Sequence, residues 1–144
     1  MSVKLKVKKT KEFAKLPAYA TPGSACFDLH GQAETDLKGR SVIYNTGLSF
    51  EIPAGFVMLV FSRSGHGFNK DVRLANCVGV IDSDYRGEVR VKLTHDKKGA
   101  MPVGDGSRIA QAMILPVPFV ELVESEEELS ETIRGDQGFG HSGE

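Results

Sequence analysis

The sequence is poor in the residues that mark several common classes of protein. It has no tryptophan and only 2 cysteines, Cys26 and Cys77, which do not form a C-x-x-C pair. Two isolated cysteines in a domain of ordinary size favour reduced, buried thiols and a cytoplasmic location over a disulfide framework. The 4 histidines are scattered, without the spacing of a zinc site built by the protein alone.

Long apolar runs and a strong net charge are also missing. No run approaches the length of a membrane-spanning helix, and no signal-peptide core follows the first lysines, so we predict no membrane partner. The net charge of −1 provides no overall positive field for nucleic acid. Lysines cluster within residues 1–15 and glutamates within 121–131. We interpret these clusters as solvated faces and predict no nucleic-acid partner, because no aromatic residue lies among the lysines before Phe13.

The apolar residues recur mostly with a period of two, and 144 residues suffice for one domain with a core. Three segments alternate as half-buried strands do: 3–8, 48–52 and 88–94. The continuous apolar run Phe56–Phe61 predicts a strand buried on both faces. Residues 109–115 are apolar but run into Pro116, which predicts an edge or kinked strand. We therefore predict an all-β, single-domain, jelly-roll-like β-barrel.

Helix is scarce in this pattern. Residues Ser64 to Lys70 are compatible with a short helical piece, weakened by Gly65 and Gly67. Ser125–Glu128 fits a capping box, which predicts one or two helical turns.

The end of the chain has a different composition. From Arg134 onwards it is rich in glycine and lacks the apolar surface to pack a core. One interpretation is a disordered terminus, and the other is a flexible flap that orders over a ligand. Phe139 favours the flap, because an aromatic ring can stack on a base while Arg134 binds phosphate. We therefore predict a barrel of residues 1–133 and a flap of residues 134–144 within one domain.

The most informative segment is Asn76–Glu88, where Asp82 and Asp84 stand two residues apart in a polar turn. An apolar run precedes the turn and an alternating strand follows it, which predicts a β-hairpin. Because Asp82 and Asp84 are two residues apart, both carboxylates lie on the same side of the chain. This arrangement is typical of a site that binds or activates a ligand. An ordinary polar turn with Asp and Gly as turn formers is the alternative.

Other polar segments have the chemistry of a phosphate site. Arg63, Ser64 and Gly65 follow the buried strand directly and offer a guanidinium fork, a hydroxyl and an unhindered N–H group. The segment Gly106–Gln111 brings a second arginine, Arg108, to the start of a strand. Elsewhere, one acidic residue, Asp28, lies inside an apolar strand, where a carboxylate needs a partner or a metal.

Taken together, five segments resemble, in order, the five motifs of the trimeric dUTP nucleotidohydrolases (dUTPases). They are Ala25–Leu29, Arg63–Gly65, Asn76–Glu88, Gly106–Gln111 and Arg134–Gly143. The resemblance implies a jelly-roll homotrimer with active sites shared between subunits. It also implies Mg²⁺-dependent hydrolysis of dUTP to dUMP and pyrophosphate.

The resemblance also implies a role for each matching residue. Asp82 orients and deprotonates the attacking water, Asn76 and the nearby backbone read the uracil edge, and Tyr85 packs against the deoxyribose. Phe139 stacks on uracil, and Asp28 helps to place Mg²⁺ through water. The phosphates are held by Arg63, Ser64, Gly65 and Gln111 and, from the flap, by Arg134 and Ser142.

Three positions depart from the family pattern. Ser62 stands where proline is frequent, His66 stands where an aliphatic residue is common, and Asp105 is shifted by a longer Gly-Asp-Gly-Ser-Arg segment. These departures bear on local loop geometry. Arg108 has an interfacial or a phosphate-binding role, and Asp84 is expected to shape the turn or contact a neighbour.

Two other functions are compatible with these features. One is a dCTP deaminase of the same fold, against which the flap motif argues. The other is a non-catalytic nucleotide-sensing module that regulates a partner.

Overall fold

The computed structural model describes residues 2–143 as two antiparallel β-sheets that share one apolar core. In chain order the elements are β1 (Lys6–Lys9), β2 (Ala18–Tyr19), β3 (Phe27–His30), β4 (Gln32–Ala33), β5 (Ser41–Glu51), β6 (Phe56–Phe61), α1 (Ser64–Lys70), β7 (Val72–Leu74), β8 (Val78–Ile81), β9 (Glu88–His95) and β10 (Arg108–Pro116). The first sheet has the order β1-β5-β9-β7 with β4 beside β5, and the second has the order β2-β3-β10-β6-β8. This architecture confirms the predicted all-β, jelly-roll-like class.

Strands β5 and β9 bury one face each, as their sequences predict, whereas β1 begins only at Lys6 of the predicted segment 3–8 and has Val7 half-buried. In β9, Val89, Val91 and Leu93 are buried while Arg90 and Lys92 are exposed. Burial of apolar side chains from both sheets is the main stabilising contribution, about 25 cal/mol per Å² removed from water. The core therefore fixes which way each strand faces, and with it the polar side chains at the strand ends.

Strand β10 is not the edge or kinked strand that its prolines suggested. It lies inside the second sheet, with β3 on one side and β6 on the other. Pro116 is the last residue of the strand, opposite Phe56, and proline is tolerated at a strand end. The irregularity of β10 lies at its start, where the register shifts between Arg108 and Ala110.

The expectation that β6 is buried on both faces is also wrong for the single chain. Only Met58 and Val60 are buried, whereas the alternate residues Val57 and Leu59 are half-buried. The core covers one face of the sheet, and no second layer of the described residues covers the other.

One of the two predicted helical pieces forms. Helix α1 spans Ser64–Lys70 as predicted, and Asp71 ends it in the left-handed conformation at φ 52°. No helix occurs at Ser125–Glu128, where the Ser125 hydroxyl donates to the Glu127 carbonyl at 2.8 Å. All residues from 117 to 143 are exposed, so a short helix there has no surface on which to bury an apolar face.

Both cysteines are free thiols, but the prediction that they are buried is not met. Cys26 is half-buried and Cys77 is exposed. Burial, with the nearby charge of Asp28, raises the pKa of the Cys26 thiol. Among residues 2–143 no helix combines the length and the apolar composition that a bilayer crossing requires.

Candidate active site

Two arginines converge on one carboxylate in the second sheet. Asp28 of β3 accepts a hydrogen bond from Nε of Arg63 and another from a terminal nitrogen of Arg108, both at 3.3 Å. Gln111 lies opposite Asp28 in the β3–β10 register, and its amide nitrogen donates to the carbonyl oxygen of Ser62 at 3.1 Å. We call Asp28, Arg63, Arg108 and Gln111 the arginine cluster. Three segments that are distant in the sequence thus meet at the end of β6.

The loop that carries Arg63 is fixed by its own backbone. The Arg63 carbonyl accepts hydrogen bonds from the N–H groups of His66 at 3.0 Å and Gly67 at 3.1 Å. Ser62, the residue that replaces the frequent proline, accepts a hydrogen bond from the Leu74 N–H at 2.9 Å and so ties the loop to β7. Ser64 is exposed beside this loop, as is Gly65, so both are accessible to a ligand.

Asp28 is the charge that holds the arginine cluster together. Its side chain is 13% exposed, whereas the Arg63 and Arg108 side chains are 24% and 49% exposed. A buried carboxylate that loses its charge leaves its cationic partners without compensation. We therefore expect Asp28→Asn to lower the free energy of unfolding by about 1–3 kcal/mol.

Urea denaturation at one fixed protein concentration measures this effect. The matched control is Glu34→Gln, which breaks the exposed Glu34–Arg90 pair at 3.3 Å and is expected to cost less than about 1 kcal/mol. Equal losses in the two variants would show that Asp28 does not anchor the arginines.

The predicted hairpin around Asp82 is wrong in its pairing. Strand β8 pairs with β6 in one sheet, and β9 pairs with β5 and β7 in the other. The two strands therefore diverge, and a cavity of about 390 Å³ opens between them. Its lining includes Asn76, Gly79, Val80 and Val89. We call this cavity the β8–β9 groove, and its size is that of a small-ligand pocket.

A second cavity extends the groove to the turn. It has a volume of about 330 Å³, and Asp82, Tyr85 and Glu88 line it together with groove residues that include Val80 and Val89. The Tyr85 hydroxyl donates to the Glu88 carbonyl at 3.0 Å, which fixes the ring beside the opening. Asp82 is exposed, and within residues 2–143 its carboxylate makes no hydrogen bond or ion pair.

Arg86 closes the turn that carries both acidic residues. Its guanidinium donates to the carbonyl oxygens of Ser83 at 2.6 Å and Tyr85 at 3.1 Å. The Tyr85 N–H donates to the Asp82 carbonyl at 3.2 Å. The backbone is thereby held, while the Asp82 and Asp84 carboxylates both remain exposed to solvent.

The arginine cluster and Asp82 lie at opposite ends of the same strands. Val78 is opposite Phe61, and Ile81 is opposite Met58, so Asp82 lies near residue 57 whereas Arg63 lies beyond Phe61. Extended backbone rises about 3.3 Å per residue, so residues 57 and 63 are about 20 Å apart along β6. The predicted base and the predicted phosphate ligands are therefore separated within one chain.

The predicted flap residues also lie apart from both centres. Arg134 donates to the Gln137 carbonyl at 2.9 Å, which is a contact within the tail. Phe139 is fully exposed, as is the rest of the segment 134–143, which includes Ser142. Within residues 2–143, backbone hydrogen bonding from the tail to the barrel ends at the bond from the Val117 N–H to the Gly55 carbonyl.

Sequence reasoning gave no functional role to two histidines beside the arginine cluster. Burial, and after it the charge of Lys15, lowers the pKa of His30, while Asp28 opposes this effect. Burial, and after it the charge of Arg63, lowers the pKa of His66. The only signal in the sequence was the replacement of an aliphatic residue at position 66.

The chain is similar in sequence and in fold to known proteins. A sequence model of the dUTPase family matches residues 12–143. The deoxyuridine 5′-triphosphate nucleotidohydrolase of Nautilia profundicola is 44% identical over 142 residues, covering 98% of this chain and 99% of the relative. The dUTPase of Staphylococcus bacteriophage 80alpha, solved with dUPNHPP, superposes with a TM-score of 0.86 at 25% identity, covering 99% of both chains.

A second solved structure has the same fold. It is a mutant dUTPase from phage phi11 of S. aureus, described as revealing the coordination of a structural Mg(II) ion. It superposes with a TM-score of 0.75 at 20% identity, covering 89% of this chain and 100% of the other, and so supports the fold alone. From the match of the family sequence model over residues 12–143 and the identity to a full-length relative, this chain belongs to the dUTPase family.

Proposed function

We propose that the chain is a dUTP diphosphatase, which hydrolyses dUTP to dUMP and pyrophosphate. The observation that carries the proposal is the 44% identity, over 98% of the chain, to a protein named for this activity. The geometry adds a groove of nucleoside size with an exposed carboxylate near its opening and, at the other end of the sheet, an arginine cluster suited to phosphate.

The β8–β9 groove is the proposed nucleoside site. The Asn76 amide and the neighbouring backbone offer both donors and acceptors for the uracil edge, and Gly79 leaves space for the ring. Tyr85, fixed through its bond to Glu88, packs against the deoxyribose and leaves no room for a 2′-hydroxyl. Rejection of the thymine methyl group is steric in such a groove, because no polar group of the protein distinguishes it.

Asp82 is the proposed general base. Its exposed carboxylate is free of ion pairs among the described residues, so it can accept a hydrogen bond from water. The carboxylate takes a proton as the water oxygen bonds to phosphorus. The anhydride bond between the α- and β-phosphates then breaks, and pyrophosphate leaves with the bond's electron pair. General-base assistance contributes about 10²–10⁴ in rate, so charge stabilisation supplies much of the remainder.

The arginine cluster and its loop are the proposed phosphate site. Arg63 supplies a guanidinium, Ser64 a hydroxyl and Gly65 an N–H group, and Gln111 supplies an amide. Asp28 holds Arg63 and Arg108 in place before the ligand binds. This contact favours a phosphate-binding or positioning role for Arg108.

We propose that the active site is completed by other copies of the chain in a homotrimer. Asp82 and Arg63 of one chain are separated by about 20 Å along the sheet, which is inherent in the strand register, so the proposed base and this phosphate ligand do not meet within one chain. The exposed tail 117–143 carries apolar side chains that a neighbouring copy would cover, among them Phe119, Leu122 and Ile133. In this assembly residues 134–144 form a flap over the substrate, with Arg134 and Ser142 on the phosphates and Phe139 on uracil.

Mg²⁺ is proposed to bind mainly to the phosphate oxygens of the substrate. No group of three His, Cys, Asp or Glu side chains among residues 2–143 forms a cage for a metal ion. Both Asp28 oxygens already accept from arginines, so a contact of Asp28 with the metal runs through water. When bound, Mg²⁺ would take phosphate oxygens and waters as ligands and would supply charge neutralisation for the departing pyrophosphate. The free thiols remain consistent with the proposed cytoplasmic location.

Pyrophosphate release from separate nucleotides tests the activity. We expect release from dUTP with Mg²⁺, and release from dTTP, UTP and dCTP lower by about 10²-fold or more, since the site selects both base and sugar. Ammonia release from dCTP would instead identify a deaminase. Binding of dUTP without any turnover would identify a nucleotide-sensing module.

A further inference from the structure

His66 is a buried histidine without a hydrogen-bond partner for one of its ring nitrogens. The residue is 7% exposed, and within residues 2–143 its Nδ1 has no partner. It belongs to the first turn of α1, where its N–H donates to the Arg63 carbonyl at 3.0 Å. A buried polar atom that is left unpaired costs free energy, so a purely structural role would favour an aliphatic side chain here.

The charges that lower the pKa of His66 belong to three cations. They are Arg63 from the phosphate loop, Lys70 from the last turn of α1 and Arg108 from the start of β10. Together with burial they lower the pKa of His66, so the ring is neutral in the free protein at neutral pH. The carboxylate of Asp28 pairs directly with the two arginines, each at 3.3 Å.

We propose that His66 takes up a proton when a polyphosphate binds at Arg63 and Arg108, so that binding at this site is linked to proton uptake. The inference rests on the proposed phosphate site. An anion seated between the arginines offsets the positive potential that disfavours the imidazolium, and the charged ring then attracts the anion in turn. His66 is thus a positioning residue that acts through the electrostatics of the site.

The sign of the linkage follows from the two protonation states. Above the pKa of His66 in the complex, the ring is neutral with or without ligand and contributes nothing to the pH dependence. As the pH falls through the interval between the pKa in the complex and the lower pKa of the free protein, the ligand binds together with a proton and its affinity rises. Below both pKa values the contribution is constant. The lower limit of this interval lies below the ordinary pKa of histidine, because burial and the neighbouring cations lower the pKa of the free ring.

His30 is the alternative source of a proton. It lies opposite Arg108 in the strand register, its Nδ1 also lacks a partner within residues 2–143, and it faces the same arginines. It differs in facing Asp28, which raises its pKa against the effects of burial and Lys15. Asp28 thus already supplies part of the negative charge that favours the protonated ring. We therefore expect ligand binding to cause less proton uptake at His30 than at His66.

Calorimetric titration of the 144-residue chain in two buffers of different ionisation enthalpy tests the proposal. The probe is dUPNHPP, and deoxyuridine is the control ligand without phosphates. At the pH where uptake is largest, we expect the unchanged protein to take up about 0.3–0.5 proton more than His66→Gln, and its affinity relative to that variant to rise about three- to tenfold from pH 8 to pH 5.5. His66→Leu serves as the second variant, because it restores the aliphatic residue and keeps the volume. The difference cancels protons that the ligand itself releases.

The outcomes separate the two proposals. Proton uptake that is the same in the unchanged protein, His66→Gln and His66→Leu would overturn the role of His66. Uptake lost in His30→Gln but kept in both His66 variants would overturn it as well. Inorganic tripolyphosphate is titrated in parallel. If it binds with uptake that depends on His66 while dUPNHPP does not bind, the nucleotide function fails and the linkage stands. If neither ligand binds, both fail.

Discussion

Asp82→Asn is expected to slow dUTP hydrolysis by about 100-fold or more while nucleotide binding persists. The amide has nearly the shape of the carboxylate but cannot accept the proton of the attacking water. Asp82 makes no ion pair among residues 2–143, so its replacement leaves the fold without an uncompensated charge. Steady-state turnover and the dissociation constant of dUPNHPP, measured on the same preparation, separate the two effects.

Asp84→Asn is the matched control for this experiment. Asp84 is exposed, belongs to the same turn and lines the same surface cavity as Asp82. The substitution removes the same charge at a distance of two residues, so we expect a loss of less than about tenfold. Similar losses in both variants would indicate that the local negative charge matters and that no single base exists. Turnover close to normal in Asp82→Asn would refute the assignment of the base.

Deletion of residues 134–144 is expected to leave a folded, inactive protein. Residues 134–143 are all exposed and make their hydrogen bonds within the tail, so their removal changes the free energy of unfolding by less than about 0.5 kcal/mol. We expect turnover to fall by about 100-fold or more, because the proposed flap would supply contacts to the phosphates of the substrate. Urea denaturation followed by circular dichroism measures the free energy of unfolding, sedimentation measures the assembly, and pyrophosphate release measures turnover.

Point substitutions within the tail refine this result. Phe139→Ala is expected to raise KM for dUTP, since stacking on a base contributes about 1–3 kcal/mol. Gln137→Ala is the control, because among residues 2–143 the Gln137 side chain bonds to His141, and the backbone carbonyl that accepts from Arg134 is kept. A truncated protein that is unfolded would show that the tail is structural, and one that is fully active would show that it is not a flap.

Mixing two inactive variants tests whether sites are shared. Asp82→Asn subunits carry an intact tail, and tail-deleted subunits carry an intact Asp82. If one site takes these parts from different subunits, refolding the two together restores part of the activity. No recovery, in assemblies shown to contain both chains, would place Asp82 and the tail of one chain in the same site.

The sequence predicted the strands with side chains alternating across one sheet, because a period of two follows from the backbone of a strand. It also located α1, whose bounds agree with the prediction. The prediction from sequence failed for features that depend on which strands lie next to each other in the folded sheet. Nothing in the residues of β10 reveals that β3 and β6 flank it, and nothing in β6 reveals that one of its faces is only half-covered.

The predicted hairpin shows the same limit. The turn residues around Asp82 indicate a change of chain direction, and that change occurs. Whether the flanking strands then pair with each other depends on the rest of the sheet, and here β6 takes β8 while β5 and β7 take β9. The groove exists because these pairings place β8 and β9 in different sheets.

By itself, the sequence determined the strand-rich class, the order of the five motifs and the family to which they belong, because these depend on residue type and spacing along the chain. Only the tertiary structure decided that Asp28 pairs with two arginines, that Nδ1 of the buried His66 has no partner within residues 2–143, and that the strand positions of Asp82 and Arg63 are about 20 Å apart. Strand pairing determines which distant segments are in contact and how far apart two side chains lie along the sheet. Both are therefore properties of the folded sheet.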